Sequence, residues 1–280
     1  MPELPEVETT MRGMAGPLLG QVIADIELRR ADLRWAIPPG LVAVAKGARV
    51  TGLTRRGKYI LIRLDRGAGL LLHLGMSGRM VISAPETAAG AHPHEHVVLH
   101  TAHGWRLGLV DPRRFGALDL IEPEGGAIHR LLAALGPEPL SADFTDAVLA
   151  ASLAGRRAPL KALLLDQRLI AGLGNIYVCE ALFAARLSPF RSGASLGPRE
   201  IGRLRRAIVS VLTAAVAAGG SSLRDYVQPN GELGYFQAQW QVYGREGERC
   251  SACGARCPGI RRETQSGRST FFCERAQPHG

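Results

Sequence analysis

Between residues 22 and 121 the chain repeats one pattern, and that pattern limits its fold more than any other feature: short apolar or alternating runs broken by glycine and charged turns. The runs span residues 22–28, 48–55, 59–64, 70–74, 97–101, 107–110 and 117–121, with turns such as Arg56-Gly57, Asp65-Arg66-Gly67 and His103-Gly104 between them. Runs of this length and spacing predict an antiparallel β sandwich or barrel. At Leu135-Gly136-Pro137-Glu138-Pro139-Leu140 the pattern stops, and helical periodicity takes over in 143–154, 160–165, 176–184 and 199–218. A helix over roughly residues 5–18 precedes the strands, with Pro5 near its start and Glu6 and Glu8 in its first turn. After Cys250 a short β pattern with glycine turns returns. The expected class is therefore α+β and multidomain. An N-terminal antiparallel β-sandwich with flanking helices is expected over 1–135, a helical domain over 136–240 and a small C-terminal module over 241–280.

Composition narrows the function. The 280 residues are 46% hydrophobic, ample for a core, yet no run of about 18 apolar residues is present to span a membrane. Glu3, Glu6 and Glu8 stand where an export signal would be basic, so a cytoplasmic protein is expected. The net charge of +9 points to an anionic partner such as nucleic acid. Nearly all the basic residues are arginine; Lys46, Lys58 and Lys161 alone are lysine. A retained lysine is informative in such a chain, because lysine can release its proton near neutral pH and arginine cannot.

Several stretches carry chemistry. Removal of Met1 would make Pro2 the N-terminus and present a secondary amine. A free α-amino group has a pKa of about 7.7–8.0, so part of it is neutral near pH 7 and able to attack carbon. Glu3 is one residue away, placed to move protons at a reacting centre. The plain alternative is a capped helix behind a trimmed methionine. Lys58 lies in a tight turn between two predicted strands, either solvated or raised into a cleft. In His73-Leu74-Gly75-Met76-Ser77-Gly78 an apolar Met76 occupies a glycine loop, and in Asp111-Pro112-Arg113-Arg114-Phe115-Gly116 a planar arginine and an aromatic ring share a turn. Such side chains are either core or wedges that fill the hole left by an extruded base. His94 and His96, in His92-Pro93-His94-Glu95-His96, suit phosphate better than metal. Arg156, Lys161 and the glycine-rich turn Gly172-Leu173-Gly174-Asn175 accompany two helices, an arrangement that brings helix N-termini to phosphate or simply caps a helix. The polar stretch from Gly219 to Phe236 is a candidate cover for an extruded base or a plain surface loop.

Four of the five cysteines, Cys250, Cys253, Cys257 and Cys273, fall in the last 31 residues. In a cytoplasmic chain that clustering favours a metal site over disulfides. One CxxC with two further cysteines can hold tetrahedral zinc, and Arg268 lies in the hairpin that such a metal would aim. Cys179, among apolar residues on a predicted helix, reads as packed.

Taken together, Pro2 through Thr9, His73 through Gly78, Asp111 through Gly116, Gly172 through Tyr177 and Gly267 through Cys273 resemble the bacterial formamidopyrimidine-DNA glycosylases, bifunctional repair enzymes for oxidised purines. The resemblance covers essentially the whole chain. It implies a β sandwich, a helix–two-turn–helix module and a C-terminal zinc-finger β-hairpin, with double-stranded DNA running through the cleft between the halves and a monomer as the working form. It implies that Pro2 attacks C1′ of the damaged nucleotide, that Glu3 exchanges protons at the sugar, and that Lys58 and Arg268 are proton donors for β- and δ-elimination. Met76, Arg113 and Phe115 would fill the vacated stack, with Arg113 facing the orphaned cytosine. His94, Arg156, Lys161 and Asn175 match positions that contact the DNA backbone, and 221–236 matches the loop that covers the base. One departure stands out. The family's finger has two CxxC pairs, whereas here Ala276 replaces the last cysteine and about three extra residues after Cys253 bring in Cys257. Cys257 is expected to supply the fourth zinc ligand; the alternatives are a finger that keeps its hairpin without metal, or a three-cysteine site completed by another ligand. The alternatives are a related glycosylase for oxidised pyrimidines, of the endonuclease VIII type, and a non-catalytic DNA-binding relative.

Overall fold

The computed structural model describes residues 1–87, 90, 92–221 and 234–278. Its contacts divide the chain into two compact units, Met1–Ala133 with Ala218–Tyr235, and Ala134–Ala217 with Phe236–Gly280.

The first unit begins with helix α1 (Leu4–Leu18). Glu3 is its N-cap: the Glu3 side chain accepts from the backbone N–H of Glu6, while Glu6 reaches back to the Glu3 N–H at 2.8 Å. This reciprocal pair satisfies two donors that helix geometry leaves without partners. Strand β1 (Ile23–Leu28), helix α2 (Leu41–Ala45) and strands β2 (Val50–Arg56), β3 (Tyr59–Leu64), β4 (Gly69–His73), β5 (Arg79–Ser83), β6 (Glu95–Thr101), β7 (Arg106–Val110) and β8 (Ala117–Ile121) follow, then a short helix α3 (Arg130–Ala133). The strands form two antiparallel four-stranded sheets, ordered β1-β6-β7-β5 and β2-β3-β4-β8. Alternation along β3 shows how the sandwich is built. Ile60 and Ile62 join the main core with Leu70, Leu72, Val97, Leu99, Leu107 and Leu109, whereas Leu61 points the other way to Leu71, Ile121 and α3. Val7, Met14 and Leu18 of α1 close one side of the main core. The sandwich expected from the spacing is present; strand β5 and helices α2 and α3 were not anticipated.

The second unit holds helices α4 (Asp146–Leu153), α5 (Leu160–Leu165), α6 (Asn175–Ala184) and α7 (Pro198–Ala217), and the hairpin of β9 (Arg261–Gln265) and β10 (Arg268–Phe272). Helix α6 is buried along almost all its length and packs on α5, α7 and β10. Its Glu180 carboxylate accepts the backbone N–H groups of Gln241, Val242 and Tyr243 at 2.8–3.0 Å. Burial pushes that carboxyl above its ordinary pKa, and the three donors oppose the shift. Cys179 lies 2% exposed in a cluster with Phe183, Val242, Phe271, Cys250 and Cys273, packed as expected.

Candidate functional site

In the first unit Pro2 is buried behind an exposed Met1, and Glu3 and Glu6 are 3% and 2% exposed. Glu6, read from sequence only as a first-turn acid, spans two segments. One oxygen takes the Glu3 N–H and the other takes the Ser221 N–H at 2.8 Å, so the start of α1 is tied to the start of the 221–236 stretch. Residues 222–233 of that stretch lie outside the described residues. Lys58 is 7% exposed in the two-residue β2–β3 turn, behind Gly57 at φ +56°, a turn conformation that favours glycine. The hairpin packs on α1 and is fixed there by Arg55, whose Nε reaches Glu8 at 2.9 Å. The amine-bearing end of the chain, an adjacent carboxylate and a buried lysine thus belong to one packed assembly.

His73, to which the sequence assigned no role, ends β4 beside Tyr59, with ring centroids 4.8 Å apart. Its Nδ1 accepts the Gly75 N–H at 3.0 Å, which leaves Nε2 as the donor of a neutral ring. Burial, then the charges of Lys58 and Arg34, lower its pKa from 6.5 to about 4. The unfolded chain therefore binds more protons between those values. Stability falls as pH drops from 6.5 towards 4, with no further loss below that, by at most about 3 kcal/mol. Urea unfolding at pH 7 and pH 5 should show a smaller acid loss for His73→Gln than for the wild type; equal losses would remove His73 as the cause.

Met76 and Phe115 are 38% and 41% exposed, unlike ordinary core residues of their size. The Arg113 guanidinium lies 4.7 Å over the Phe115 ring, a cation–π pair that presents two flat groups together. His94 is exposed at φ +62°, immediately before β6.

The second unit treats its four predicted residues differently. Arg156 is exposed, its Nε on Ser152 O. Arg268 is exposed at the start of β10, after a two-residue turn in which Ser266 and Gly267 both have positive φ. Asn175, at the first position of α6, donates to Ser269 O at 2.9 Å, and its Oδ1 is buried with no hydrogen-bond partner among the described residues. Lys161, expected to face phosphate, is instead 1% exposed. Its Nζ donates to Ser269 O at 2.8 Å and Thr270 Oγ1 at 2.7 Å, and burial lowers its pKa. It sits on the same face of α5 as Leu160 and Leu164, which carries it inward to the strand that holds Arg268.

The Sγ atoms of Cys250, Cys253, Cys257 and Cys273 all lie within 4.8 Å of one another, and Cys273 is 3.8 Å from both Cys253 and Cys257. A tetrahedron with Zn–S bonds of about 2.3 Å has sulfur–sulfur edges of about 3.8 Å, so the donor set fits zinc. The Cys250 N–H points at the Cys257 sulfur at 3.1 Å, as a backbone donor to a ligand thiolate would. Burial, with the neighbouring thiols, pushes Cys250 up to about 12. Cys257 falls to about 7, because donors from the Cys250 and Gly259 backbone outweigh its burial.

Family models described as the formamidopyrimidine-DNA glycosylase N-terminal domain and the formamidopyrimidine-DNA glycosylase H2TH domain match residues 1–118 and 135–227. The chain is 57% identical over 280 residues to a formamidopyrimidine-DNA glycosylase of Acidiphilium cryptum, covering 99% of this chain and all of the relative. Among solved structures it is similar to the MutM (Fpg) protein of Thermus thermophilus, at 44% identity, TM-score 0.88 and full coverage of both chains. It is also similar to Lactococcus lactis Fpg in complex with abasic site containing DNA, at 35% identity and TM-score 0.88 over 99% of this chain and all of the other. The same Lactococcus protein with N7-benzyl-Fapy-dG containing DNA matches at 34% identity and TM-score 0.88, with the same coverage.

Proposed function

Because this chain belongs to the formamidopyrimidine-DNA glycosylase family, we propose that it excises 8-oxoguanine and formamidopyrimidines from duplex DNA and then cleaves the abasic strand by β,δ-elimination. The observation that carries the reading is the burial of Pro2, Glu3 and Lys58, the first two at the start of α1 and the lysine in the hairpin that packs on that helix. With Met1 removed, the Pro2 nitrogen donates its lone pair to C1′ and the glycosidic bond breaks towards the base. Opening of the sugar at the C1′–O4′ bond, with Glu3 protonating O4′, then gives the iminium, which draws electrons from the sugar. Glu3 gives and takes protons at the sugar. Loss of a C2′ proton then expels the 3′ phosphate with Lys58 as proton donor. Arg268 serves the second elimination, which frees the 5′ phosphate.

Met76, Arg113 and Phe115 occupy the space vacated by the extruded nucleotide, and the exposure of Met76 and Phe115 on two loops that touch through Gly75 supports this, since adjoining exposed apolar side chains mark binding surfaces. His94 and Arg156 contact the DNA backbone. Asn175 reaches phosphate through a side chain now shared with Ser269 O. Lys161 contributes by holding the strand behind Arg268. The four cysteines hold one structural zinc ion, with Cys257 in the place of the missing second CxxC, and zinc's part is to fix the hairpin. No described helix is long and apolar enough to cross a membrane; a monomer in the cytoplasm is the working form proposed for the enzyme.

Duplexes carrying 8-oxoguanine opposite cytosine or thymine glycol test the reading. Preferred excision of 8-oxoguanine is expected; preferred excision of thymine glycol would move the chain to the pyrimidine-specific relatives. Borohydride should trap the wild type on abasic DNA, which a mere binder would not permit. Binding should weaken steeply with salt, and Arg156→Ala should lower the slope of log K against log[salt] by about one unit. An unchanged slope would take Arg156 off the backbone.

A further inference from the structure

We infer that Asp111 is a positioning residue that locks the wedge side chains Met76, Arg113 and Phe115 into one rigid unit with His94; this rests on the wedge reading proposed above. Asp111 is 0% exposed in a chain whose other acids are mostly solvated, and both its carboxylate oxygens are used. Oδ1 accepts the Ser77 hydroxyl at 2.7 Å, and Oδ2 accepts the Gly116 N–H at 2.7 Å. Ser77 Oγ in turn accepts the Arg113 N–H at 3.2 Å. Ser77 follows Met76 and Gly116 follows Phe115, so each wedge residue is itself a member of this network or one bond from it. The backbone of Asp111 extends the same function. Its N–H donates to His94 O at 2.9 Å, and its carbonyl accepts the Arg114 N–H at 3.2 Å and the His96 Nε2–H at 2.9 Å.

The two loops also touch backbone to backbone. Gly75 has φ +65°, and a Cβ there would stand 2.3 Å from the carbonyl carbon of Phe115. Wedge side chains that must enter a base stack together gain from being held at fixed separation before binding, because the ordering cost then falls in folding rather than in the flipping step. A buried carboxylate needs its donors to remain in place, so the loops cannot drift apart without leaving that charge unpartnered.

The inference separates two activities. Excision from duplex DNA requires the wedge; trapping on a preformed abasic site in single-stranded DNA requires neither a base to evict nor a stack to fill. Ser77→Ala and Asp111→Asn should lower kcat/KM for 8-oxoguanine excision from a duplex by about tenfold or more, the effect of about one net hydrogen bond. Their borohydride trapping on single-stranded abasic DNA should stay within about twofold of the wild type. Stopped-flow fluorescence of 2-aminopurine beside the lesion should show slowed extrusion. Asp111→Asn retains one acceptor, so it should be milder than Asp111→Ala, and Ser77→Ala keeps the test open if the Asp111 variants fold poorly. Equal losses in both assays would make the network merely structural and overturn the inference, as would excision unchanged in Ser77→Ala and Asp111→Asn. Met76→Ala and Phe115→Ala serve as references. If these are also silent in duplex excision, the wedge reading itself fails; if they are impaired while the network variants are not, only the role of Asp111 falls.

Discussion

Pro2→Gly is expected to lower borohydride trapping on abasic DNA by about a hundredfold or more, some 3 kcal/mol of barrier. Glycine also permits removal of Met1 and also leaves a free amine, so the comparison isolates what the pyrrolidine ring contributes. A secondary amine is the stronger nucleophile, and its adduct is an iminium with a permanent positive charge, whereas a glycine imine needs an added proton to pull electrons as strongly. The ring also restricts the backbone immediately before Glu3, the N-cap at φ −101°, and so limits where the nitrogen can point. Glycine returns that freedom at the atom whose placement sets the reaction. Intact mass of both proteins should show Met1 absent. Peptide mapping of the reduced adduct should place the cross-link on residue 2. Undiminished trapping by Pro2→Gly, or a cross-link on Lys58, would transfer the nucleophile to the lysine.

The parts of this architecture that sequence displays are those set by local rules. The opening helix shows in Pro5 and its acids, and the strands in their short apolar or alternating runs between turns. The helical half shows in the break at Leu135–Leu140. Strand β5 did not show, because Met80-Val81-Ile82 is an apolar run of only three residues that directly follows the glycine loop holding Met76; pairing with β7 at the sheet edge makes it a strand. The order of strands within the two sheets is a non-local outcome of packing and no periodicity encodes it. At the site, residue types with a chemical signature were legible: a proline amine with a neighbouring acid, a turn lysine, a cysteine cluster. Residues that act through partners distant in sequence were not. Glu6 looks like any first-turn acid until Ser221, 215 residues later, is found on its second oxygen. Asp111 looks like the start of a turn until Ser77 is found on its carboxylate. Lys161 reads as a basic residue after Arg156 and Arg157, and only the inward face of α5 reveals that its charge is spent on Ser269 and Thr270.

Cys257→Ala is expected to abolish zinc binding and with it δ-elimination, and the same chain offers a rescue. Structural zinc in finger peptides contributes apparent free energies of about 10–16 kcal/mol, so removing one of four thiolates affects the folding of the whole module. The rest of the module is held by the buried face of β10 and by side-chain bonds such as Gln265 to Pro189 O and Gln277 to Leu187 O. Strand β9 is almost wholly exposed, and the hairpin is retained by Phe271, Phe272 and the bonds from Lys161 and Asn175 to Ser269 O. Without the metal, burial holds Cys250 as an uncharged thiol, the three remaining sulfurs have no cation between them, and the turn that presents Arg268 loses its anchor. Freshly purified wild type should contain about one zinc per chain, and Cys257→Ala about none. Arg268-dependent δ-elimination should disappear before β-elimination does, because Lys58 belongs to the other unit. Ala276 already packs against the cysteine cluster. Adding Ala276→Cys to Cys257→Ala therefore rebuilds a second CxxC with Cys273, and zinc content and δ-elimination should return together. Near-zero zinc in active wild type would end the four-cysteine site. Full zinc in Cys257→Ala would show that the fourth ligand lies elsewhere, and Cys257 would then be only the acceptor of the Cys250 N–H.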